Sequence, residues 1–513
     1  MKKIYIILLS LALISCDKIA ALKDLMEALE TRVTIFDPTS GQLISGFAAD
    51  GGSVIEIKVS FNSDENPISI AIAPEGEAYG LLSTSQEAFT QSSISYELTT
   101  EDIERGYALF YLLSDEDLPS SLATTSSATI SYDVTITVES DEEVSRSFDV
   151  EVVRPPVIFA HGFASSDITY DPMLSYITPK GLYIDSGLYV LDYMLTSLAS
   201  YEVNKTVISD AIDQTKSAML AEGYIFKKAV VVGHSMGGVL TRLYMQSSYG
   251  VDYRDDILKI ITIDSPFSGT QLANFGIGLA DKYPDSPLKL VYKMGAIIDF
   301  QVDSEATLNV LNGESLNKVI LPTHILSATF GDTKSIVGLI SDGQYVQALL
   351  SFLVQKVATE YIYGEDNDLI VPHSSQIGGI EESLLKDYVT TYSGEWHCSV
   401  HTTEAAANDI MELLDTPSTN GKKFSTAGFN PSFLSYDATS HTSVTMVEKS
   451  SSEIASLVTS LITIGLDADG DIVDMGYESA DDNESITIEN SSVVETYTIG
   501  VSTTESSTLF FSL

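Results

Sequence analysis

The stretch Gly233-His234-Ser235-Met236-Gly237-Gly238 speaks most directly of chemistry. It follows Ala229-Val230-Val231-Val232, an apolar run that reads as a strand, and precedes Val239–Gln246, which has helical patterning. A serine between small residues at a strand-to-helix turn sits on tight, strained backbone, and the glycines let strand and helix approach closely. The helix N-terminus then brings the positive end of a dipole to the hydroxyl, where it stabilises developing negative charge. The spacing therefore predicts Ser235 as a nucleophile. The strand before it and the helix after it carry this reading, since Gly-x-Ser-x-Gly alone is common.

A second apolar run, Val157-Ile158-Phe159-Ala160, ends in His161-Gly162-Phe163. The two motifs together resemble the bacterial lipase/esterase branch of the α/β-hydrolase superfamily, which pairs His-Gly-x after a strand with a later Gly-His-Ser-Met-Gly-Gly. Ile261 to Thr270 resembles that family's strand and "Thr-Pro-His-x-Gly" turn, with Phe267 in place of the histidine. Asp299 to Asn312 resembles the family segment that precedes the next strand. The resemblance covers about 155–415 and is silent on the flanks. It implies a serine hydrolase of lipase or esterase type, acting on an ester or lipid substrate through an acyl-enzyme, without metal or organic cofactor. It assigns the oxyanion hole to the backbone amides of Phe163 and Met236, with His161 supporting the loop. Acyl transfer and deacylation of a lipid-linked glycan use the same groups. A surface-binding or adhesion protein with a silent core is the non-catalytic alternative.

Gly364-Glu365-Asp366-Asn367-Asp368-Leu369-Ile370-Val371-Pro372 resembles the family's "Asn-Asp-x-x-Val-Pro-x-x-Ser" loop, which implies Asp368 as the acid. Asp366 and Asp264, the latter at a strand end, compete with it. Of the seven histidines, His161 and His234 belong to the two loops above, His324 lies in a strand, His373 is close behind Asp368, and His441 is in the C-terminal zone. His397 and His401 remain, in the Ser…Asp…His order of the superfamily. In the family these motifs resemble, the catalytic histidine precedes a Leu-Leu pair by roughly four helical turns; matched to Leu413-Leu414, the resemblance implies His397 as the base, with His401 as the alternative.

These residues need a scaffold, and the patterning supplies one. Between 154 and 415 apolar runs alternate with amphipathic helical stretches. Strand-like runs are Leu188–Asp192, Ala229–Val232, Ile260–Ile263 and Thr323–Ser327. Glu202–Glu222 and Ala405–Leu414 are helix-like. Such alternation predicts the α/β class, with a mainly parallel sheet and helices on both faces. From 31 to 153 the chain instead shows short alternating runs, as in Tyr132-Asp133-Val134-Thr135-Ile136-Thr137-Val138. That predicts an immunoglobulin-like β-sandwich. A Ser-, Thr- and Gly-rich linker at 416–432 leads to a second β-domain at 433–513. Apolar stretches at 275–300 and 333–363, the latter with Leu339, Ile340, Leu349 and Phe352, are candidates for a lid or acyl-binding wall.

The N-terminus reads as a lipoprotein leader. Lys2 and Lys3 precede an apolar run too short to span a membrane, and Leu13-Ile14-Ser15-Cys16 resembles a lipobox. A signal peptide at 1–15 and a lipidated Cys16 on a tether at 16–30 would hold the protein to the cell envelope through its acyl chains. Release by ordinary secretion is the alternative. A net charge of −45 repels phosphate backbones and excludes nucleic acid as a partner. With Cys16 in the leader, Cys398 is the lone internal cysteine, so no disulfide framework exists. Asp467, Asp469 and Asp471 have the oxygen-rich spacing of a structural Ca²⁺ loop, although Ile472 stands where such loops carry glycine, and Asp-Gly between two β-runs also makes a hairpin turn.

Overall fold

The computed structural model describes residues 32–62, 66–75, 79–115, 126–140, 144–282, 293–312, 323–330, 363–378 and 389–415. It also gives the backbone of the strands between 433 and 512. Cys16, the tether, the linker, the candidate lid residues Leu339, Ile340, Leu349 and Phe352, and Asp467, Asp469 and Asp471 lie outside the described residues. The described chain forms two compact units. One comprises the part up to Pro156 with Lys180–Leu188 and Asp213–Ala229, and the other comprises the remainder.

The second unit is organised on a six-stranded sheet. We number its strands β1 (Val157–Ala160), β2 (Leu188–Leu191), β3 (Ala229–His234), β4 (Ile257–Ile263), β5 (Thr323–Thr329) and β6 (Val389–Ser393). Their spatial order is β2-β1-β3-β4-β5-β6. The pairs β1–β3, β4–β5 and β5–β6 run parallel, with Val157 opposite Val230, Ile260 opposite Thr323 and Ile325 opposite Val389. β1, β3 and β4 are buried at every position, as strands covered on both faces must be. In such sheets the loops beyond the strands' carboxyl ends build the site. Here those ends carry His161, Ser235 and Asp264.

The first unit is antiparallel for the most part. One sheet has the order Arg32–Phe36, Val54–Ser60, Tyr107–Leu113, Leu81–Ser83. The other has the order Tyr224–Ile225, Gly46–Ala48, Val144–Val153, Thr129–Glu139, Ser69–Pro74, Ile94–Glu97. Val54–Ser60 and Tyr107–Leu113 alternate half-buried and buried residues, the signature of strands with one face on a core. That core gathers Phe47, Ile55, Ile57, Ile70, Ile72, Phe110, Ile136 and Val150. Chain from beyond residue 154 also enters this unit, because Tyr224–Ile225 pairs in parallel with Gly46–Phe47. The turn after it is held by Asp50. This fully buried carboxylate accepts hydrogen bonds from the amides of Gly52, Ser53, Lys227 and Lys228 and from the hydroxyls of Ser53 and Ser114, at 2.6–3.0 Å.

The C-terminal strands form two antiparallel sheets. Their orders are Phe433–Asp437, Thr496–Thr503, Val458–Leu466, Ile472–Glu478, and Ile486–Glu489, Ser443–Glu448, Leu509–Ser512. Leu466 lies opposite Ile472, so the strands on either side of the candidate Ca²⁺ loop are antiparallel partners.

Candidate active site

β3 ends in a turn on which Ser235 adopts φ 51° and ψ −121°, a conformation rare for a residue with a side chain. The turn is pinned by the Ser235 amide, which donates to the Ile263 carbonyl of β4 at 2.8 Å. The helix Met236–Met245 starts at the next residue. It can do so only because residue 237 is glycine: a Cβ there would lie 2.2 Å from the Ala160 carbonyl oxygen. Met236, as the first helical residue, has an amide without an intrahelical acceptor. The loop after β1 passes directly beside the serine, since a Cβ on Gly162 would fall 2.9 Å from Ser235 Cβ. Phe163 follows, with its ring edge-on to Phe300.

His161 anchors that loop. Its Nδ1 donates to the Gly162 carbonyl at 2.9 Å, its Nε2 accepts from the Tyr193 amide at 3.1 Å, and its ring stacks on Tyr193. Burial pushes its pKa down, consistent with this neutral tautomer.

Ser235, His397 and Asp368 form one hydrogen-bonded chain. His397 Nε2 lies 2.9 Å from Ser235 Oγ, and His397 Nδ1 lies 2.7 Å from Asp368 Oδ2. All three side chains are buried. Asp368 is held by its own turn: Oδ1 accepts from the amides of Ile370 and Val371 at 2.9 and 2.7 Å, and its carbonyl accepts from the His397 amide at 3.0 Å. Asp366 is exposed and outside the chain of bonds.

His401 is also buried, but its closest ring neighbour is His234, with centroids 4.3 Å apart. Burial, then the neighbouring His397, push its pKa down to about 4. His234 donates from Nε2 to the His397 carbonyl at 2.7 Å, so it positions the backbone of the histidine that faces the serine. In the sequence His234 belongs only to the turn, and no local motif signals a bond across 163 residues. His373 bonds to Ser327 instead, at 2.8 Å.

Two segments singled out by resemblance brace this arrangement. Asn312 donates to the Phe267 carbonyl at 2.7 Å and accepts from Arg242 at 2.9 Å, while the Arg242 guanidinium lies over the Phe267 ring. Asp299 accepts from the Tyr201 amide at 2.6 Å.

The serine opens into a cavity of about 480 Å³. Its walls are largely apolar, with Phe163, Leu272, Met294, Ile297, Phe300 and Val371 among them. Cys398 lines the same cavity and is exposed rather than packed. Among the described residues, His234, Asp264 and His397 offer donor atoms within 4.8 Å of one another. Both ring nitrogens of His397 are already engaged, so a metal ion there would compete with the bonds to Ser235 and Asp368.

A family model described as "alpha/beta hydrolase of unknown function (DUF915)" matches residues 199–316, a stretch that contains the Ser235 turn. The fold is an α/β-hydrolase fold. Among solved structures, the mature form of the Bacillus licheniformis lipase BlEst2 is similar at 16% identity, over 51% of this chain and 91% of that one, with a TM-score of 0.32. Its propeptide form is similar at 15% identity, over 70% of this chain and 74% of that one, with a TM-score of 0.35. The phospholipase PlaB from Legionella pneumophila is similar at 14% identity, over 43% of this chain and 45% of that one, with a TM-score of 0.30. No curated protein matches the sequence. No helix among the described residues is long and apolar enough to cross a membrane.

Proposed function

We propose that this chain is a serine hydrolase that cleaves carboxylic esters through an acyl-enzyme on Ser235. The observation that carries the reading is the hydrogen-bonded chain Ser235–His397–Asp368 at the carboxyl end of a parallel sheet, beside an apolar cavity. In this reading His397 Nε2 takes the proton of Ser235 Oγ as the hydroxyl attacks the ester carbonyl, then returns it to the departing alcohol. A water activated by the same nitrogen releases the acid. Asp368 fixes the Nδ1–H tautomer of His397 and stabilises the imidazolium. The amides of Phe163 and Met236 receive the oxyanion, and losing one such donor costs on the order of 100- to 1,000-fold in rate. The cavity walls suit an apolar acyl chain, which favours esters of lipid type over small polar ones.

A fluorophosphonate probe should label the protein, and Ser235→Ala should abolish both labelling and hydrolysis of p-nitrophenyl esters. The expected loss is on the order of a million-fold in kcat. Turnover that survives in this variant, with contaminants excluded, would sink the mechanism. We further propose that lipidation at Cys16 holds the enzyme to the cell envelope. Cys16→Ser should then shift it from the membrane fraction to the soluble fraction, and retention after a high-salt wash would place the anchor elsewhere.

A further inference from the structure

A second buried carboxyl stands behind the histidine, and the mechanism above does not use it. Asp264 follows β4 with φ 53°, a left-handed conformation unfavourable for a non-glycine residue. Its amide donates to the Leu326 carbonyl at 3.0 Å, and its Oδ1 accepts from the Ala328 amide at 2.7 Å. The side chain is fully buried, and Oδ2 has no hydrogen-bond partner among the described residues. One of its oxygens and a ring nitrogen from each of His234 and His397 lie within 4.8 Å of one another. A strained backbone and a buried oxygen without a donor are both costly, yet the packing holds them against the ring that faces Ser235.

We propose that Asp264 is a reserve acid: a positioning carboxyl that supports His397 when Asp368 is lost and is held in check while Asp368 is present. The inference rests on the triad reading above. Two carboxylates in one buried site cannot both ionise freely. Asp368 has two amide donors and the His397 Nδ1–H, whereas Asp264 has one amide. The charge therefore resides on Asp368. Burial, and after it the Asp368 charge, push the Asp264 carboxyl well above the ordinary carboxylate range, which leaves it neutral in the intact enzyme. Replacing Asp368 with asparagine removes the like charge but not the burial. The positive charge that His397 gains as Ser235 attacks, on a ring with a nitrogen within 4.8 Å, offsets that burial, so Asp264 gives up its proton to solvent and stabilises the imidazolium.

The test is a double-mutant cycle on kcat and KM with one soluble p-nitrophenyl ester, using Asp264→Asn, Asp368→Asn and the pair, with Ser235→Ala as reference. A triad without a second carboxyl loses about 10⁴-fold in kcat when its acid becomes asparagine. With the reserve in place, Asp368→Asn should lose only on the order of 100-fold, and adding Asp264→Asn should remove roughly another 100-fold. Asp264→Asn alone should stay within about threefold of wild type, and KM should hold steady throughout. Asp264→Ala run in both backgrounds provides a second removal of the carboxyl in case the asparagine variant folds poorly. A merely structural role would cost the same factor whether or not Asp368 is present, and that result overturns the proposal. So does a full 10⁴-fold loss in Asp368→Asn alone. If Ser235→Ala itself retains turnover, the triad reading fails, and the reserve acid fails with it. If Ser235→Ala is dead and the cycle is additive, only the reserve acid fails.

Discussion

Asp50 and Asp264 are both completely buried aspartates, one in the antiparallel unit and one in the parallel sheet. Their surroundings differ in kind. Asp50 is saturated by six donors, two of them the amides of Lys227 and Lys228. Asp264 accepts one amide and leaves its other oxygen without a partner among the described residues. Near Ser235, His234 Nδ1 and His401 Nδ1 also lack partners among the described residues. A buried charge with every lone pair occupied fixes the fold. Buried polar groups left short of partners lower stability and are retained where chemistry needs them. Of the two aspartates, the one left short of donors is the one beside the Ser235–His397–Asp368 chain.

The sharpest way to break that comparison is at the proposed base. His397→Ala should cost about 10⁴- to 10⁶-fold in kcat while the melting temperature moves little. His401→Ala should keep turnover within about tenfold, because its ring packs on His234 and makes no bond to Ser235 or Asp368. Steady-state kinetics on both variants decides this. A dead His401→Ala beside an active His397→Ala would reverse the assignment.

The opposite effect is expected at Asp50. Asp50→Asn removes the charge and turns an amide NH₂ toward N–H donors, so it should cost about 3 kcal/mol of stability. Urea unfolding would show the loss. The kcat of the folded protein should be unchanged, since the carboxylate serves a turn of the other unit. A fall in kcat at full folding would mean that the saturated carboxylate also matters to the site.

The sequence made one of these regions far more legible than the other. The Ser235 turn announces itself because strand, glycines, serine and helix are contiguous, and strain forces those residue types together. The parallel strands are legible as continuous apolar runs. Tyr107–Leu113 is illegible as a strand because tyrosine and leucine on its half-buried face hide the alternation. Val389–Ser393 is an edge strand with a mostly polar sequence, and Tyr224–Ile225 is too short to show any period. The Asp50 contacts cross 177 residues to Lys227, and nothing local in the chain foretells them. The resemblance ranks His397 above His401, and only the fold supplies the distances. Asp264 was visible only as an aspartate at a strand end, with no sign that its second oxygen would be left over.

The smallest effect concerns His401 and the pH dependence of stability. In the folded protein its pKa is pushed down to about 4 by burial and by His397. In the unfolded chain it should titrate near 6.5. Between these values the unfolded state binds the proton and the folded state does not, so stability is fully present above pH ~6.5 and declines as pH falls toward ~4. This one group can remove at most roughly 3 kcal/mol over that window. His234 is shifted in the same direction, so the wild-type curve alone does not isolate His401. His401→Phe does. It keeps a ring against His234 and Tyr170, whose centroids lie 4.3 and 6.1 Å away, and removes the titration. Urea unfolding of both proteins from pH 8 to pH 4 should give a difference that grows in favour of the variant as the pH falls. Parallel curves would mean that His401 is not held neutral by its surroundings, and the contrast between saturated and unsaturated buried groups would then rest on Asp264 and His234.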